Sequence, residues 1–257
     1  MKSLKKYLFF STIFALVYKL YKMAKFWFAP TGGNEGFCAE TKPSVMWYTA
    51  SGIVCKWFFQ IFNGFKIYNS EYLPEDKQFV TVANHASIMD GFIVAASVHV
   101  PVYIMVKKEA FEIPIKGWYL RKVLCFPVDR SKVDVFAIKR AMTVLNEGKN
   151  LGIFPEGTRN REGYVGEFHV GAIKFALKKR LPIVPMYIQN SHNFTPVGAI
   201  LPRPVEMAVH FLPPVDTKAL LAEGKSEQEI LNIIREMICN KGTELMGYDV
   251  RAEAKKD

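Results

Sequence analysis

Hydrophobic positions fall along this chain in two regimes, and the change comes near Gly64. Before it, apolar residues form two long runs, 7–18 and 45–62, the second interrupted by Lys56 and Gln60. After it, short apolar runs rich in β-branched and aromatic residues alternate with stretches of helical period. The runs 79–83, 102–106, 125–128, 151–154, 183–188 and 205–211 are read as strands, and 91–98, 117–124, 133–147 and 171–179 as helices. Strands alternating with helices imply an α/β domain with a mostly parallel central sheet flanked by helices. A last helix is predicted to begin at Ser226, because Ser226-Glu227-Gln228-Glu229 has the form of a capping box. Ile230, Ile233, Ile234, Met237 and Ile238 then mark its buried face. The pattern divides the chain into an apolar, basic helical segment at 1–63 and an α/β domain at 64–257.

The first run has twelve residues, and a hydrocarbon core takes roughly 20 to cross. Lys19, Lys22 and Lys25 follow it on one helix face. A basic start with an apolar run also suits a signal peptide, but Tyr18-Lys19-Leu20-Tyr21-Lys22 offers no small-residue cleavage site. The second run carries Trp47, Tyr48, Trp57, Phe58 and Phe59, residue types that favour the headgroup level. Pro30-Thr31-Gly32-Gly33-Asn34-Glu35-Gly36 between the runs is a turn signal. The two are read as a helical pair lying in one leaflet, at the cytoplasmic face of a membrane, with short tilted spans and burial as ordinary core helices as the alternatives.

Composition agrees with a chain that touches lipid. Half its residues are apolar and 14% aromatic, which excludes a disordered polypeptide, and 34 Lys plus Arg against 24 Asp plus Glu leave a net charge of +10. Such a balance favours an anionic partner. Because the N-terminal lysines stand among Leu, Phe, Tyr and Trp, a membrane face or an anionic substrate is expected and nucleic acid is not. Cys38, Cys55, Cys125 and Cys239 have no CxxC spacing, so reduced thiols are expected, with neither a disulfide framework nor a metal site.

Candidate chemistry gathers where strands end. His85 follows the run 79–83, and Asp90 comes five residues later in Asn84-His85-Ala86-Ser87-Ile88-Met89-Asp90. If the chain turns between them, the carboxylate fixes one imidazole nitrogen and leaves the other to take a proton. Phe154-Pro155-Glu156-Gly157-Thr158-Arg159 follows another strand, with Gly157 for a tight turn and Thr158 and Arg159 as donors suited to phosphate. Glu156 either orients the arginine or closes the site, and a plain salt-bridged turn is the alternative. Lys107 and Lys108 at the end of one strand region and Arg130 at the end of the next would place positive charge on the same sheet edge, with a solvated basic patch as the alternative. Ile183-Val184-Pro185-Met186-Tyr187-Ile188 reads as a buried strand with a proline-fixed bend.

In order and spacing, the Asn-His-x4-Asp segment, the stretch from Lys107-Lys108-Glu109 through Pro114 and Gly117 to Asp129-Arg130, the Phe-Pro-Glu-Gly-Thr-Arg segment and the Val-Pro strand resemble the four motif blocks of the glycerolipid acyltransferases. The resemblance covers about residues 64–215. Where that family often has Phe-Lys-x-Gly, this chain has Phe168-His169-Val170-Gly171, one cation fewer near a phosphate. The His-His-x3-Asp-Gly pattern of the chloramphenicol acetyltransferase-like enzymes agrees at Asp90-Gly91 alone. The resemblance implies fatty acyl transfer from acyl-CoA or acyl-carrier protein to the sn-2 hydroxyl of lysophosphatidic acid, giving phosphatidic acid, without metal or cofactor. His85 is then the general base and Asp90 its orienter. Arg159 is the first choice for the acceptor's phosphate, supported by Lys107 and Arg130, with Glu156, Gly157 and Thr158 in the same site.

Overall fold

A computed structural model describes residues 43–131, 134–196, 199 and 201–251. The first apolar run, 7–18, lies outside the described residues. The second forms helix α1 (Val45–Asn63), capped by the Ser44 side chain at its start and by Gly64 in the left-handed region, φ 60°, at its end. Its inner face puts Tyr48, Phe59 and Phe62 into the core, while Met46, Ile53, Val54 and Trp57 stay exposed on its outer face. No helix among the described residues is long and apolar enough to cross a membrane.

Seven strands form one sheet: β1 (Lys66–Tyr68), β2 (Val80–Ala83), β3 (Val102–Lys107), β4 (Cys125–Val128), β5 (Asn150–Ile153), β6 (Ile183–Gln189) and β7 (Ala208–Phe211). Their order is β1-β7-β6-β2-β5-β3-β4. Every neighbouring pair is parallel except β6–β7, so β1 and β7 run opposite to the other five. The six strands predicted are present within a few residues of their expected limits. β1 was not predicted, because three residues with an exposed–intermediate–exposed pattern give no hydrophobic period to read. β2 is buried at all four positions, as a central parallel strand covered on both faces must be.

Pro185 stands inside a central strand, where a missing N–H usually breaks a ladder. A strand residue's N–H and C=O point to the same side, and the Pro185 carbonyl accepts from Leu212 N at 2.9 Å. The absent N–H therefore falls between the β6–β7 ladder and the Ile183–Val215 bridge, where it costs no ladder bond.

The predicted helices are α2 (Asp90–Ser97), α4 (Pro114–Lys122), α5 (Val135–Asn146), α6 (Lys174–Lys179) and α9 (Glu227–Met246). Segment 171–179 opens as a 3-10 turn at Val170–Ala172. The capping box at Ser226 and Glu229 is present with both of its reciprocal bonds. The short helices α3 (Glu109–Glu112), α7 (Ser191–Phe194) and α8 (Thr217–Ala222) were not predicted; none is long enough to show a helical period.

Helix α1 lies on α2 at very short range. A Cβ placed on Gly52 would stand 2.5 Å from the Ala95 carbonyl oxygen. Gly52→Val is therefore expected to push α1 off α2 and cost about 1–3 kcal/mol, read as a lower midpoint in chemical denaturation; an unchanged midpoint would show that the helix pair yields without strain.

Candidate active site

Four adjacent parallel strands, β2, β5, β3 and β4, end on the same edge of the sheet. That edge receives His85 after β2, Phe154 to Arg159 after β5, Lys107 at the end of β3 and Arg130 after β4. Ligands in open α/β sheets bind at such an edge because helix N-termini and strand-end loops converge there.

The turn from β2 into α2 brings His85 and Asp90 together. His85 Nδ1 and Asp90 Oδ2 are 2.8 Å apart, and the same oxygen accepts from Ala86 N at 2.7 Å and Ser87 N at 2.8 Å. Asp90 has no exposed surface. An ionised carboxylate only accepts, so the Nδ1 proton is donated to it and Nε2 is left with a free lone pair. The imidazole stacks on Phe154, with centroids 4.3 Å apart and planes 21° off parallel, an arrangement that would favour a positive charge on the ring.

Two side chains missing from a simple histidine–aspartate picture fix the backbone around His85. Asn84 carries the β2–β6 pairing one step past the strand: its Oδ1 accepts from Ile188 N at 2.7 Å and its Nδ2 donates to Ile188 O at 3.1 Å. Glu156 accepts from His85 N at 2.7 Å through one oxygen and from Gly166 N at 3.0 Å through the other. The His85 carbonyl accepts from Asn160 N at 2.8 Å. Among the described contacts, the buried Glu156 carboxylate takes these two backbone donors and none from Arg159. A local reading missed this because both donors are brought to it by tertiary folding.

The cations gather on the outer side. Arg130 donates to the Gly157 carbonyl, fastening a turn in which Gly157 takes φ 67°, a conformation that glycine adopts without strain. Burial pushes the Arg130 guanidinium below its ordinary value, and repulsion from Arg159 adds to that. Lys116, which the sequence did not single out, is lowered by burial first and then by Arg159 and Lys107. Mutual repulsion ties these four charges into one positive field, open to an anion at the exposed Thr158 and Arg159. Lys108 is spoken for by Asp129, at 2.7 Å. Beside the site lies a cavity of about 470 Å³, lined by apolar residues such as Met105, Ile138, Phe154 and Phe175 and by the polar Asp129, Arg130, Asp134, Glu156, Thr158 and His169. Among the described residues no cluster of His, Cys, Asp or Glu could hold a metal ion. The thiols of Cys55, Cys125 and Cys239 are free, and burial pushes them up to about 11, 12 and 11.

Burial also pushes Glu156 from 4.5 up to about 7, with Asp90 adding to the rise and its two N–H donors and Arg235 opposing it. A carboxyl raised in the folded state binds more protons there than in the unfolded chain. Its contribution to stability is full below pH 4.5 and is lost as pH rises through about 7. Glu156→Gln removes this titration. The variant is expected to gain on the parent by on the order of 3 kcal/mol between pH 4.5 and 8, measured as the difference between their denaturation free energies; a pH-independent difference would contradict the assignment.

Comparison with known proteins places this geometry. A family model described as Acyltransferase matches residues 64–189. The 1-acyl-sn-glycerol-3-phosphate acyltransferase of Borreliella burgdorferi is 32% identical over 174 residues, covering 67% of this chain and 69% of that protein. The enzyme of the same name from Bacillus subtilis is 35% identical over 128 residues, 49% of this chain and 63% of that one. The crystal structure of the 1-acyl-sn-glycerophosphate (LPA) acyltransferase PlsC from Thermotoga maritima superposes with a TM-score of 0.68 at 27% identity, covering 80% of this chain and 81% of that one. Agreement in sequence along two thirds of both chains, and in fold along four fifths, leaves one conclusion: this chain belongs to the acyltransferase family.

Proposed function

We propose that the chain is a 1-acyl-sn-glycerol-3-phosphate acyltransferase, moving a fatty acyl group from acyl-CoA or acyl-carrier protein to the sn-2 hydroxyl of lysophosphatidic acid in phospholipid biosynthesis. The observation that carries the reading is the His85–Asp90 pair at 2.8 Å on the strand-end edge, in a chain whose relatives bear that enzyme's name. A lipid hydroxyl attacks a thioester too slowly unaided. His85 Nε2 removes its proton as the oxygen adds to the carbonyl carbon, and the thiolate leaves from the tetrahedral oxyanion. Asp90 keeps the proton on Nδ1 and stabilises the imidazolium, the service a carboxylate gives in a serine-protease triad, with the substrate's own hydroxyl in the serine's place. No acyl-enzyme intermediate is needed, and the buried, raised thiols are poor nucleophiles.

Arg159, assisted by Lys107 and Arg130, receives the acceptor's phosphate beside Gly157 and Thr158, since a guanidinium fork matches phosphate oxygens. The largely apolar cavity shares Phe154 with the catalytic histidine and suits a hydrocarbon chain. Residues 1–63 serve as the membrane-associating segment and 64–257 as the catalytic domain. The outer face of α1, with Met46, Val54 and Trp57 each at least two thirds exposed, supports seating on lipid at the cytoplasmic face rather than spanning it.

His85→Ala is expected to lower kcat about 10²–10⁴-fold while circular dichroism and vesicle binding stay as in the parent. Retention of most turnover would remove His85 from the mechanism. Mass spectrometry of the lipid products separates transfer from hydrolysis: phosphatidic acid appears only when lysophosphatidic acid is supplied, whereas free fatty acid without acceptor would identify a thioesterase. Arg159→Ala is expected to raise the acceptor KM about tenfold or more, as loss of a charge-assisted contact does, and a defect confined to the donor KM would reassign it.

A further inference from the structure

One charged residue far along the chain is tied to His85 through hydrogen bonds alone. Arg235 stands in α9, and its side chain is 14% exposed. Its Nε donates to the Gly166 carbonyl at 3.0 Å, and its Nη2 pairs with Glu167 at 2.9 Å. The N–H of that same Gly166 donates to Glu156, whose other oxygen takes the His85 N–H. A Cβ on Gly166 would lie 2.9 Å from Glu156 Oε2, so the backbone approaches the carboxylate as closely as a glycine allows. The preceding residue, Val165, is fully buried and fastened from behind, its N–H donating to Val250 O at 2.7 Å. Arg251 next to it is held by Glu236 and Asn240, both at 2.6 Å.

We propose that Arg235 is a positioning residue of the acyl-transfer site: by fixing Gly166, it keeps two backbone N–H groups on the two oxygens of Glu156 and so holds the His85 backbone in register with Asp90. This rests on the proposed function for its link to turnover, but not for the relay itself. Only an ionised carboxylate accepts fully at both oxygens, so the relay is complete when Glu156 is charged. Asp90 and Arg235 act on Glu156 directly, Asp129, Arg130, Asp134 and His169 line the cavity that it borders, its one oxygen takes the His85 N–H, and Glu167 pairs with Arg235. Among those acting on it, Arg235 is the cation that favours ionisation and Asp90 the anion that opposes it. Arg235 therefore works in two ways, as a clasp on Gly166 and as a charge that extends the working range of Glu156 to lower pH.

The test compares Arg235→Met and Arg235→Lys with the parent enzyme, full chain on lipid vesicles, in melting temperature, in kcat and both KM values from pH 5.5 to 9, and in backbone hydrogen exchange of peptides containing His85 and Gly166. Arg235→Met is expected to lower kcat about tenfold with both KM values within about twofold, to move the acid limb of kcat upward, and to speed exchange at both peptides. Arg235→Lys keeps the charge and loses the fork, so it should restore the limb more fully than kcat. The proposal is overturned if exchange at the two peptides is unchanged, or if kcat returns to the parent value once temperature is lowered to equal distance from each melting point. A parent enzyme that exchanges as described but transfers no acyl group to lysophosphatidic acid would dismiss the function while leaving the relay standing.

Discussion

A single buried oxygen, Asp90 Oδ2, accepts from three donors at once, and the site is organised around it. Taking a carboxylate out of water is costly unless hydrogen bonds replace the lost hydration. Here the N–H groups of Ala86 and Ser87 and the ring of His85 replace it at Oδ2, while Oδ1 is buried without a hydrogen-bond partner. Asp90 also stands in the first turn of α2, where the helix dipole favours a negative charge. The charge can remain buried only if the chain from β2 turns sharply enough to aim two successive N–H groups and an imidazole at one atom. The geometry that makes burial tolerable is the geometry that orients the imidazole.

Holding that turn falls to residues from elsewhere in the chain. Asn84 reproduces a strand's hydrogen bonds toward β6, and Glu156 from the neighbouring strand end binds the His85 N–H. Arg130 locks the adjacent Gly157 turn from a third strand. Parallel strands with equal direction make this possible, because their carboxyl ends arrive side by side although the residues lie tens of positions apart in sequence. Glu156 carries a cost for this service: burial raises it toward neutrality, and stability is given up where the His85 backbone gains a fixed partner.

Around this rigid centre the surfaces divide by chemistry. Cations line the sheet edge, and the largely apolar cavity opens beside Phe154. Helix α1 buries aromatic residues on one side, where Phe58, Phe59 and Phe62 meet Phe194, and shows tryptophan and aliphatic residues on the other. Trp47 of α1 packs edge-on against Trp118 of α4 with centroids 5.7 Å apart. The cations and the largely apolar cavity thus lie side by side at one edge of the sheet.

The sequence by itself determined the strand and helix alternation, six of the seven strands, the capping box of the last helix and the residues His85, Asp90, Arg159, Lys107 and Arg130 as candidates. These were legible because hydrophobic period, capping and the contents of strand-end turns are local and recur within a few residues. Tertiary structure alone decided that β7 runs against β6, that Glu156 faces inward, that Lys116 joins the cation field and that Arg235 reaches Gly166. Each of those depends on which side of a strand or helix meets a partner from a distant part of the chain. β1 shows the same limit from the other direction: its three residues carry almost no pattern, and they become a strand because β7 offers an unpaired edge beside them. The period of a segment tells which face is buried, but the identity of what covers that face is settled only when the sheet has closed around it.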